Sequence, residues 1–122
     1  MFIKLKKFEG EIIWTKHAEK KMKYYRFSRK RVLKILKNPD RTEEGIAPET
    51  IASMQITGSK KHPKEVWVMY QIEKAKGKRK KAKLKIISAW RYPGRTPEGQ
   101  RPLIPTEVIE DLLKEGIIIK GY

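Results

Sequence analysis

At 122 residues, with a formal net charge of +16, no cysteine and two histidines, the chain has room for one domain and one core. The lack of cysteine excludes disulfides and thiolate metal centres, two histidines argue against a histidine-based metal site, and no cofactor is expected. Hydrophobic residues make up 39%, enough for a folded chain, and no run approaches the roughly 18 apolar residues of a membrane span. Residues 1–7 carry charge without an apolar stretch, so a secretory leader is not expected and a cytoplasmic location is.

The charge is unevenly placed. Residues 105–122 hold four acidic against two basic side chains, a net of −2, so the first 104 residues carry 28 basic against 10 acidic, a net of +18. A solubilising lysine coat would be balanced by glutamate, and this one is not. The excess points to a polyanion partner: RNA, DNA, or an acidic protein that masks the surface.

In chain order, Glu11–Trp14 reads as a short strand. A helix opens at Thr15 or Lys16 and runs to about Tyr24, with Ala18, Met22 and Tyr25 as a core stripe and His17 and Lys21 beside it. Ser28 is a natural N-cap for a second helix over 29–37, which buries Val32, Leu33, Ile35 and Leu36 and stops at Asn38-Pro39-Asp40. A β region follows: a weak strand at 42–44, stronger ones at 50–57 and 65–73, a hairpin loop centred on Gly77, and a last strand over 82–91. The loop at 93–99 is rigid and irregular. Thr106 is placed to cap a final helix over 107–114, with Gly116 at its end. Ile117-Ile118-Ile119 reads either as a strand or as a tail for a partner. This order implies an α+β fold: two N-terminal helices on one face of a twisted antiparallel sheet, plus a C-terminal helix.

Alternation over 84–91 puts Leu84, Ile86, Ser88 and Trp90 on one face and Lys85, Ile87, Ala89 and Arg91 on the other. Eight cations, Lys74, Lys76, Lys78, Arg79, Lys80, Lys81, Lys83 and Lys85, fall within twelve positions. Nothing in that run specifies sequence, so it reads as phosphate attraction, or as a solvated loop tip. Lys20 and Lys21 extend the basic surface. Trp67 reads either as a stacking platform for a base or as a second apolar layer under the final helix.

Trp14-Thr15-Lys16-His17-Ala18, then Phe27-Ser28 before a helix ending at Asn38-Pro39, then the closing Lys85-Ile86-Ile87-Ser88-Ala89-Trp90-Arg91, resembles the BrnT-type toxins and small proteins related to them. The resemblance covers residues 11–92 and leaves 93–122 as an extension of a single domain spanning 1–122. Thr15 stands where that family usually has Asp. Tyr24-Tyr25-Arg26-Phe27 replaces its Lys-His-Gly turn, and Trp90 replaces the first arginine of its closing pair, whose second matches Arg91. The resemblance implies a RelE-like ribonuclease fold. It also implies a metal-independent endoribonuclease of a toxin–antitoxin system acting on RNA, including ribosome-bound mRNA, with an acidic antitoxin as partner.

A metal-free ribonuclease must deprotonate a 2′-hydroxyl, stabilise the charge on the crowded phosphorus and protonate the leaving 5′-oxygen. Arg91 suits bidentate phosphate clamping, His17 suits acid or base work near neutrality, and Tyr92 suits orientation or proton donation. Each has a structural alternative. His17 can sit at the core boundary, Arg91 can pair with Glu107 or Asp111, and Tyr92 can simply pack before Pro93. Ser88 reads as a packing or hydrogen-bonding residue, and His62 as exposed. The rival function is a non-catalytic RNA-, ribosome- or DNA-binding module of the same fold. In a third reading the acidic final helix folds over the basic face and masks it.

Overall fold

A computed structural model of the chain describes residues 10–74 and 81–118. The elements are β1 (Glu11–Trp14), α1 (Lys16–Tyr25), α2 (Arg29–Lys37), β2 (Arg41–Glu44), β3 (Ile51–Gly58), β4 (Pro63–Glu73), β5 (Lys83–Tyr92) and α3 (Thr106–Lys114). The fold is α+β. The five strands form one sheet in the order β1-β5-β4-β3-β2. The sheet is mixed rather than wholly antiparallel, because β1 pairs with β5 in parallel, Glu11 opposite Lys83 and Trp14 opposite Ile86. No helix among the described residues is long and apolar enough to cross a membrane.

Local chemistry sets the helix ends. Thr15 accepts from the Ala18 amide at 3.1 Å to cap α1, and its hydroxyl donates to the Ile86 carbonyl at 2.7 Å, stitching the helix start to β5. At the other end Arg26 turns left-handed, with φ 61°, and the Phe27 amide returns to the Met22 carbonyl at 2.7 Å. Ser28 caps α2 through the Arg31 amide at 3.1 Å. α3 departs from expectation. Pro105 occupies the cap position with an extended backbone, φ −55° and ψ 142°, and Thr106 is already helical, since the proline's carbonyl accepts from Val108 and Ile109.

Both sheet faces are covered. One layer joins Ala18 and Met22 of α1, Phe27, and Val32, Ile35 and Leu36 of α2 to Val66, Val68, Tyr70, Leu84, Ile86 and Ala89. The other joins Val108 and Leu112 of α3, with Ile118, to Met54, Trp67, Met69, Ile87 and Trp90. Trp67 and Trp90 sit opposite each other on β4 and β5 and stack with centroids 6.3 Å apart. Ile118 is buried in this layer, so the described part of the 117–119 run is neither strand nor free tail.

One irregularity reorders β5. The ladder pairs Tyr70 with Ile86 but Met69 with Ser88, leaving Ile87 as an extra residue. An inserted residue inverts every later side chain. Ala89 and Arg91 therefore join the α1/α2 face with Leu84 and Ile86, while Ser88 and Trp90 turn to the α3 side. The simple alternation expected over 84–91 does not hold past Ile87.

α3 is a wall of the core. Val108 and Leu112 are fully buried over the tryptophan pair, so the segment is not a detachable cover. Leu112→Ala is expected to cost about 2–5 kcal/mol, read from urea unfolding midpoints. A loss well under about 1 kcal/mol would show that α3 contributes little to this layer.

Candidate nucleic-acid interface

α2 has the sequence Arg29-Lys30-Arg31-Val32-Leu33-Lys34-Ile35-Leu36-Lys37, five cations and no acid. Its apolar side is committed to the core, so the cations have one remaining side to occupy. Lys30, Lys34 and Lys37 are exposed at i, i+4 and i+7, a row about 10 Å long. Arg29 is partly occupied, bonding Glu19 at 3.2 Å and lying 4.9 Å from the centroid of the Trp14 ring.

The first turn of the same helix also supplies one member of an arginine pair. Arg31 lies 5.2 Å and Arg91 5.0 Å from the centroid of the same Phe27 ring, which itself stacks on Tyr25 at 5.5 Å. Both arginines are half-buried. No carboxylate among the described residues pairs with either. Partial burial, and then the nearby Arg91 charge, lower the affinity of Arg31 for its proton. Two half-buried like charges thus face one ring with no ion-pair partner among the described residues, an arrangement that an incoming anion relieves.

Beside the pair lies an open cleft of about 430 Å³, lined by Tyr25, Lys64, Arg91, Tyr92, Pro105 and Glu107. Arg91 and Tyr92, two of the three expected catalytic residues, therefore share one site. The Tyr25 hydroxyl donates to Glu107 at 3.4 Å. Burial first, and then the Glu107 charge, push the Tyr25 phenol well above its ordinary range, so it stays a donor.

His17 is elsewhere. It lies eight residues before Tyr25 on α1, roughly 12 Å along the axis. The ring is 3% exposed, with Nε2 2.8 Å from Ser88 Oγ and Nδ1 bonded to Glu115 just past the end of α3. This serine–histidine–carboxylate line has the order of a nucleophile, base and orienting acid. However, Ser88 is completely buried, so no substrate reaches it. Next to it Lys21 is buried against Asp111, and Lys20 approaches the same carboxylate at 3.5 Å. The hydrogen bond from Lys21 is the main reason the Asp111 carboxyl stays below its usual range. His17, Lys20 and Lys21 thus meet the acids of α3. His17 is not brought to Arg91, and Lys21 is not a free phosphate ligand.

Trp67 is fully buried, and its indole donates to Glu65 at 3.0 Å. It belongs to the apolar layer and is no stacking platform, because β4 is covered on both faces. Lys81 is exposed; Lys83 is half-buried, as is Lys85, which lies 3.6 Å from Glu73. Lys76, Lys78, Arg79 and Lys80 lie outside the described residues. No group of three or more His, Asp or Glu among the described residues is arranged to hold a metal ion.

Sequence reasoning missed a polar hub on β4. Glu65 is fully buried and accepts from Thr96 Oγ1 at 2.6 Å, the Thr96 amide at 3.1 Å and Arg95 Nε at 3.1 Å, besides Trp67. Arg41 donates to Thr96 Oγ1 at 2.6 Å and to its carbonyl at 2.9 Å. Its Nε lies 3.1 Å from Glu43 without the alignment of a hydrogen bond. The hub fastens the loop after β5 across the sheet. A lone Glu in an apolar strand, followed at a distance by an Arg-Thr pair, was its only sequence signal.

Comparison with protein-family models, curated proteins and solved structures finds no match to this chain.

Burial raises the Glu65 pKa, but the bonds from Thr96, Trp67 and Arg95 outweigh it and hold the carboxyl below its usual range. A carboxyl whose folded pKa is depressed stabilises fully above its unfolded pKa of about 4.3 and loses that contribution as pH falls through the folded value. Glu65→Gln turns an amide N–H₂ toward existing donors and is expected to cost about 1–3 kcal/mol at neutral pH. The gap to the parent should shrink from pH 5 to pH 3 in chemical denaturation. A gap constant across that range would mean that Glu65 is not ionised in the folded protein.

Proposed function

We propose that this protein binds RNA through its phosphate backbone, as a RelE/BrnT-like module in which α2 and the arginine pair around Phe27 form the gripping face. The observation that carries this reading is charge placement. Asp111 of α3 and Glu115 just past its end are turned inward onto Lys20, Lys21 and His17, while the five cations of α2 face no acid of their own helix and Arg31 and Arg91 have no carboxylate partner among the described residues. Phosphate contacts of this kind position a nucleic acid without reading its sequence. The order strand, helix, helix, then an antiparallel run of strands supports the likeness to the RelE/BrnT type.

Binding should fall steeply with salt, since each neutralised phosphate of a single strand contributes about −0.7 to the slope of log affinity against log salt. Replacing Lys30, Lys34 and Lys37 together by Ala should flatten that slope by about 2 and weaken all RNA sequences alike. An unchanged slope in the folded variant would remove α2 from the interface.

Arg91 and Tyr92 sharing a cleft with Lys64 favours a second, catalytic reading: a metal-independent toxin-type endoribonuclease, covered when inactive by an acidic antitoxin. The 2′-hydroxyl would lose its proton to solvent water as it attacks, Arg91 and Lys64 would stabilise charge on the scissile phosphate, and Tyr92 would hand a proton to the leaving 5′-oxygen. His17 has no direct role in that chemistry, since both its ring nitrogens are occupied. Ribosomes or bare RNA incubated with the protein in excess EDTA should then yield ends with a 2′,3′-cyclic phosphate. Arg91→Ala should abolish these ends, while binding without cut ends would leave the non-catalytic module.

A further inference from the structure

We infer that the cleft beside Arg91 seats one unstacked nucleotide of the bound RNA and that Glu107 makes it prefer guanine. The inference rests on the RNA-binding reading and names what one part of that surface selects. Its volume of about 430 Å³ falls within the range of small-molecule sites, roughly 300–1,000 Å³. The lining has three chemistries. Arg91 and Lys64 supply cations for the flanking phosphates. Tyr25 and Tyr92, with the ring of Pro105, supply apolar and aromatic surface on which a splayed base can lie. Glu107 supplies a carboxylate.

The carboxylate is the unexpected part. It opposes phosphate binding, and its place in the first turn of α3 accounts for its charge but not for its lining a cationic cleft. Oε1 is held by the Tyr25 hydroxyl, while Oε2 has no partner among the described residues. A carboxylate only accepts hydrogen bonds. Guanine presents two adjacent donors, N1–H and N2–H, on its Watson–Crick edge. Adenine and cytosine present one amino donor beside an acceptor nitrogen, which a carboxylate repels. Uracil presents one N–H between two carbonyls. A cleft closed by Glu107 therefore rewards guanine and rejects the other three.

The test uses the full chain and a labelled nine-nucleotide uridine RNA carrying G, A, C or U at its centre, read by fluorescence anisotropy. The G probe should bind about tenfold tighter than the others, the size of one good base contact. Glu107→Ala should erase the preference while binding the all-uridine probe at least as tightly, because a negative charge has gone. Equal affinity of the parent for all four probes would overturn the guanine seat and leave RNA binding standing. Failure to bind any probe at low salt would overturn both readings. A preference that survives Glu107→Ala in the folded variant would overturn the role of Glu107. Free GMP should displace the G probe only at far higher concentration. GMP binding as tightly as the RNA would make this a free-nucleotide pocket and overturn the seat in a strand.

Discussion

A single inserted residue, Ile87, decides what this protein presents to its surroundings. Were β5 to alternate strictly through Ile87, Arg91 would point into the layer beneath α3 with Trp67, and Trp90 would leave it. With the inserted residue, Arg91 faces Phe27 and Arg31, Trp90 meets Trp67, and Ser88 meets His17. The arginine pair, the aromatic core and the buried polar line all depend on one break in the β4–β5 ladder. A bulge costs some sheet pairing, and here Thr15 fastens it by donating to the Ile86 and Ile87 carbonyls at 2.7 and 3.3 Å.

Covering both faces of the sheet then divides the charges. On the α3 side Asp111 and Glu115 are used internally, on Lys20, Lys21 and His17. On the other side α2 itself carries no acid, and Glu19 of α1 meets Arg29 alone among its cations. The exposed row Lys30, Lys34 and Lys37 is thereby left with no acid of its own helix beside it. That is the arrangement that steers an anion to a particular approach.

Much of this was legible in the sequence where the signals are local. Thr15 and Ser28 mark helix starts, Asn38-Pro39 a stop, and the alternation of Val66, Val68 and Tyr70 a strand, because caps, proline and period-two patterning act over a few residues. What was not legible depends on distance or on a single residue. The bulge has no signature, since Ile87 is apolar and suits either face. The choice between base stacking and burial for Trp67 waited on the position of α3, some forty residues later. Glu65 in a central strand looks like an exposed end until Thr96 and Arg95 are folded back onto it. His17 and Arg91 seemed one catalytic set because both are polar and functional in type, yet the length of α1 separates them. Pro105 and Thr106 competed for one cap, and backbone geometry favoured the proline.

The parallel pairing of β1 with β5 also has a consequence for how the chain assembles. Glu11 and Lys83 are 72 positions apart, whereas the hairpin from β3 to β4 joins Gly58 to Pro63 across a short turn. Closing the longer loop sacrifices more chain entropy for each contact formed, so topology favours building the β2–β5 meander first and adding β1 and the start of α1 last. During synthesis the first strand waits for the fifth to emerge. The apolar side of α1, Ala18 and Met22, has no sheet to rest on until then, and this is the interval in which the chain is most open to other contacts.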